Sequence, residues 1–86
     1  MTEYVNLRAI SGIQINIMKF VDNWAREKKV PVSREQIVEE MESQGVTQHG
    51  VKKALVGLLW QGYLRKAIMD PSYQHNKIYY VQLRRV

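Results

Sequence analysis

The tightest constraint on this chain lies at Gly45-Val46-Thr47, where one helical pattern stops and another starts with almost no room between them. Upstream, Ser33-Arg34-Glu35-Gln36 has the spacing of a capping box, in which hydroxyl and amide side chains satisfy backbone N–H groups that a helix start leaves unpaired. Ile37, Val38 and Met41 then recur at helical spacing as a buried stripe, while Glu35, Glu39, Glu40 and Glu42 form a solvated acidic face expected to point away from the next helix. Gly45 suits the left-handed residue that follows a helix end. Thr47, two residues later, caps a third helix. Two helices joined across so short a turn must meet at a sharp angle, which is helix-turn-helix spacing.

The remaining periodicity fills in the architecture around that turn. Ser11 caps a first helix in which Ile13, Ile17, Phe20, Val21 and Trp24 form the inward stripe, and which fades in Arg26-Glu27-Lys28-Lys29. Val30-Pro31-Val32 reads as a short extended segment, because proline disfavours helix at the residue before it and cannot donate a ladder hydrogen bond. In the third helix Val51, Ala54, Leu55, Leu58 and Leu59 are the buried stripe, and Gly62 ends it. Its other side carries Gln48, His49, Lys52, Lys53, Val56 and Trp60, polar and basic over the first two turns. Beyond Gly62 the period becomes alternating, through Leu64 to Met69 and again from Lys77 to Leu83, around a turn at Asp70-Pro71-Ser72. Leu64 faces inward on the first of these strands, and Tyr79, Val81 and Leu83 share one face of the second. The expected fold class is mainly α within α+β: helices over about 11–28, 33–44 and 47–61, strands over about 63–69 and 77–84, and a short strand at 30–32.

Length and composition limit what such a scaffold can do. Its 86 residues suffice for a single domain, 1–86, with one core and little to spare for an active-site cavity. There is no cysteine, which removes disulfides, thiolate nucleophiles and thiolate-held zinc. His49 and His75 stand without ligands at metal spacing, and no nucleophile–base pair or paired carboxylates are visible, so the reading is no enzyme and no cofactor. The start lacks the pattern of a signal peptide and no apolar run reaches the ~20 residues of a membrane span. A soluble, cytoplasmic, nucleoid-associated protein is expected, with no membrane partner.

Charge is unevenly placed. Residues 1–46 hold six Lys and Arg against seven Asp and Glu, whereas residues 47–86 hold seven against one. A basic half within one small domain suggests a face for a polyanion, since phosphate binding gains from cations that share a surface.

The three helices with a tight turn, followed by Gly62-Tyr63-Leu64-Arg65-Lys66 and a hairpin, resemble the winged helix-turn-helix superfamily. The layout from Ile13 to Lys66 is similar to LexA-type N-terminal domains and MarR-type regulators, including the extended segment before the second helix. The resemblance implies duplex DNA binding in transcription regulation, as a repressor for instance, or in replication, plasmid or phage control. It places base-edge contacts on Gln48, His49, Lys52 and Lys53. Backbone contacts fall on Ser33, Arg34, Thr47, Arg65, Lys66 and the hairpin residues Tyr73, Gln74, Asn76 and Lys77. Two departures stand out: the hairpin lacks the Asp-x-Arg motif of MarR-type proteins, and the third helix opens with Gln48-His49-Gly50 where a further Ser or Arg is usual.

The alternative is a module that binds another protein, through Val56, Trp60 and the acidic second helix. Trp60 either packs beneath the hairpin or joins such a surface with Val56. The apolar residues of Tyr4 to Ile10 exceed what so small a core needs and suggest a homodimer contact. Arg84-Arg85 either meets phosphate or frays as a basic terminus.

Overall fold

The computed structural model describes residues 11–68 and 78–84. Within them α1 (Gly12–Lys28), β1 (Val32–Ser33), α2 (Arg34–Ser43), α3 (Gln48–Trp60), β2 (Leu64–Ile68) and β3 (Ile78–Gln82) follow in order. The result is an α+β domain of three helices and a three-stranded antiparallel sheet with strand order β1-β3-β2. The hairpin is therefore not a separate appendage. β1 closes one edge of its sheet, pairing Val32 with Tyr80 and Ser33 with Tyr79.

Each helix begins on a hydroxyl. Ser11 and Ser33 both form complete capping boxes, with Gln14 and Gln36 returning the bond to the cap backbone, and Thr47 accepts from the Gly50 N–H at 3.1 Å. Ser33 serves twice, because its extended backbone (φ −82°, ψ 159°) is the conformation that both a strand and an N-cap require. α2 thus starts with no intervening loop. The expected short strand at 30–32 starts two residues later and ends one later, at Ser33, for the same reason.

Both ends of the sharp turn around α3 use one device. After α2, Gly45 takes φ +89°, its N–H bonds to the Glu42 carbonyl, and the Val46 N–H reaches back to Met41. After α3, Gly62 takes φ +78°, its N–H bonds to Leu59, and the Tyr63 N–H reaches back to Leu58. These are two Schellman caps, and the apolar residue after each glycine, Val46 or Tyr63, turns into the core. α1 ends differently. Lys29 itself adopts the left-handed conformation (φ 61°, ψ 24°) and donates its N–H to the Ala25 carbonyl.

The core lies where the three helices meet the inner face of the sheet. Ile17, Met18 and Val21 from α1, Ile37 and Met41 from α2, Val51, Leu55 and Leu58 from α3, and Val32, Leu64 and Tyr80 from the strands are buried together. Phe20, Trp24, Val38 and Leu59 pack against this cluster from its margins.

One inward face differs from the sequence reading, and a second is settled by the structure. On α1 the expected Ile13 is exposed, and Gln14 is buried in its place. A glutamine is tolerated there because its amide is satisfied: Nε2 donates to the Ala54 carbonyl of α3 at 3.2 Å and Oε1 accepts from the Ser11 N–H at 2.8 Å. On β3 the face shared by Tyr79, Val81 and Leu83 is the outer one: Tyr80 is buried and Leu83 is exposed.

Candidate nucleic-acid interface

α3 is fixed at both ends by its caps and along its inner side by Val51, Ala54, Leu55 and Leu58, which leaves one side to solvent. Gln48, His49, Lys52, Lys53, Val56 and Trp60 are all exposed on that side. No acid occurs between Gln48 and Trp60. The helix N-terminus and two lysines therefore contribute positive potential with nothing on the same helix to cancel it.

On the flank toward the sheet, α3 borders a cleft of about 220 Å³ lined by Arg34, Lys52, Leu55, Val56, Leu59, Lys66 and Tyr80. Three elements supply its cations: Arg34 opens α2, Lys52 comes from α3, and Lys66 from β2. The register explains how Lys66 arrives there, since it pairs with Tyr80 and alternation puts it on the same side of β2 as buried Leu64. Arg34 is held by a hydrogen bond from its Nε to the Tyr80 hydroxyl at 3.3 Å. Tyr80 is the cleft residue that sequence reading missed. It anchors an arginine from the core, and its only advance signal was an aromatic residue in an alternation that fits either face.

Toward the start of α3 the same flank turns acidic. A second cleft, of about 420 Å³, is lined by Arg34, Glu35, Val38, Glu39, Glu42, Gln48 and Lys52. The acidic face of α2 was expected to point away from α3, and it does not: three of its glutamates border the groove beside Gln48 and Lys52. The short turn causes this, because it brings α2 alongside the start of α3 with the surface-facing side of each helix on the shared groove. Arg34 and Lys52 stand on the ridge between a basic cleft and an acidic one.

Other candidates fall elsewhere. Ser33 is 4% exposed and its hydroxyl is engaged by Gln36, so it offers no open surface for a backbone contact. Thr47 is exposed, with its hydroxyl committed to the α3 cap. Arg65 alternates to the side of β2 opposite Lys66 and does not join the cleft. Tyr73, Gln74, Asn76 and Lys77, together with His75, the Tyr4 to Ile10 segment and Arg85, lie outside the described residues. Arg84 does not fray: its Nη1 donates to the Gln61 carbonyl at 3.2 Å and its guanidinium lies 4.4 Å from the Tyr63 ring centre. Trp60 does not pack beneath the hairpin and is 85% exposed.

Among the described residues no group of three or more His, Cys, Asp or Glu is placed to hold a metal ion, and no helix is long and apolar enough to cross a membrane. No family model matches the chain, and no curated protein or solved structure matches it.

Proposed function

We propose that this chain is a winged helix-turn-helix protein that binds duplex DNA, with α2 and α3 as the helix-turn-helix and the β2–β3 hairpin as the wing. The element order, the short α2–α3 turn and the sheet order β1-β3-β2 support the fold reading. The observation that carries the function is the convergence of Arg34, Lys52 and Lys66 on one cleft beside a helix that bears no acid. Cations from three separate elements, held at one place on a rigid scaffold, match the requirement for gripping a phosphate backbone while α3 meets base edges in the major groove. Gln48, His49 and Lys53, at the start of α3, are then the base-reading positions, and Arg34, Lys52 and Lys66 the backbone ones. A transcription or replication control role follows from that activity.

The experiment is a fluorescence-anisotropy titration of a short random-sequence duplex at several salt concentrations. Binding should weaken steeply with salt, and replacing Lys52 and Lys66 with alanine should flatten the log–log salt slope by about 0.9 for each phosphate that is no longer neutralised. Gln48→Ala should leave that slope in place and relax preference between sequences. Absence of duplex binding at low salt would overturn the proposal and favour a protein-binding module.

A further inference from the structure

The basic cleft continues along α3 into an aromatic surface that duplex binding does not use. Val56 lines the cleft beside Lys52 and is 52% exposed; Trp60, one turn further on, is 85% exposed. Lys52 and Trp60 are about 12 Å apart along the helix axis at the usual rise per residue. A helix that enters a groove by its N-terminal turns leaves its last turn outside, so base edges do not account for a bare indole at that end.

Resting on the reading that α3 binds nucleic acid, we infer that Trp60 is a stacking platform for an unpaired base, and that the Arg34–Lys52–Lys66 cleft with the Val56–Trp60 strip binds single-stranded nucleic acid. Charge complementarity selects this occupant. The indole shares its helix face with His49, Lys52 and Lys53, with no acid on α3, which fits a strand that carries phosphates on one side and π-faces on the other. A paired base is excluded as the stacking partner because the duplex buries base faces and shows only edges in its grooves. Base–aromatic stacking tolerates any sequence, so the strip adds affinity for unpaired strands in general.

The test compares the unmodified protein and Trp60→Ala for binding a labelled single-stranded oligothymidine and a labelled blunt duplex by anisotropy. The expected result is a loss of about tenfold or more on the single strand, little change on the duplex, and substantial recovery by Trp60→Phe. A second readout uses Trp24→Phe as background, leaving Trp60 as the lone indole. That background is mild, because the Trp24 Nε1 is buried with no acceptor among the described residues and phenylalanine removes it. Oligothymidine should then quench the Trp60 emission at the concentrations that saturate binding. Unchanged single-strand affinity in Trp60→Ala, or equal losses on both substrates, would overturn the inference while leaving duplex binding as its own result. Trp60-dependent single-strand binding without any duplex binding would uphold the inference and refute the duplex reading.

Discussion

The side-chain amide of Gln14 fills the space that a β-carbon on Gly57 would need: such a carbon would stand 2.3 Å from Gln14 Nε2. The amide cannot swing aside freely, since it bonds the Ala54 carbonyl at one end and the Ser11 N–H at the other. In an ordinary helix interior glycine to alanine stabilises by about 1 kcal/mol. Here Gly57→Ala should instead destabilise by about 1–3 kcal/mol, through overpacking and loss of buried hydrogen bonds. Thermal unfolding of Gly57→Ala, Gln14→Ala and the double variant checks this. In the double variant the added methyl has room, so it should be more stable than Gln14→Ala alone.

Lys29 closes α1 in a conformation that suits glycine, with φ at 61°. The left-handed region costs an L-residue about 1–2 kcal/mol, partly offset by the greater chain entropy that glycine loses on folding. Lys29→Gly should therefore stabilise by about 0.5–1 kcal/mol and raise Tm by several degrees. Calorimetry in which Tm falls would show that the lysine side chain contributes more than its backbone costs.

Arg84 belongs to the fold more than to a ligand. It sits at the C-terminal end of α3, where a cation is favoured by the helix dipole, and stacks on Tyr63. Arg84→Ala should lower stability by about 1 kcal/mol and leave the salt slope of duplex binding unaltered. A flattened slope with normal stability would reassign the residue to the phosphate-gripping surface.

The carboxylates beside Gln48 and Lys52 oppose a phosphate backbone on that flank of α3. Glu39→Gln should raise affinity for a random duplex at low salt, whereas Glu27→Gln, the same single neutralisation on α1, should change it little. Equal effects from both would mean that net charge alone decides.

What the residues announced in advance was local. Ser11, Ser33 and Thr47 marked three helix starts, Gly45 and Gly62 two helix ends, because caps are settled within a few residues of chain. The helix face with Lys52 and Lys53 was legible by the same periodicity. What escaped depended on partners far away in the chain. Both alternating sets of β3 contain apolar residues, so period two could not choose between Tyr79 and Tyr80; pairing with Val32 and the bond to Arg34 made the choice. Gln14 carries no sequence signal for burial, because the carbonyl that satisfies it belongs to Ala54, 40 residues away. The acidic flank was misplaced because helical spacing tells which residues share a side of α2 but not which neighbour that side meets.

The double clamp on α3 separates two tasks that small proteins often force onto the same residues. Its backbone position is settled by glycine geometry, a threonine hydroxyl and an inner row of aliphatic side chains, none of which reaches the outer side. Positions 48, 49, 52, 53, 56 and 60 are consequently open to replacement without structural penalty beyond helix propensity. A library randomised at those six sites should yield mostly folded members with divergent ligand preferences, so the scaffold can acquire new targets by drift on one surface while its interior stays under constant selection.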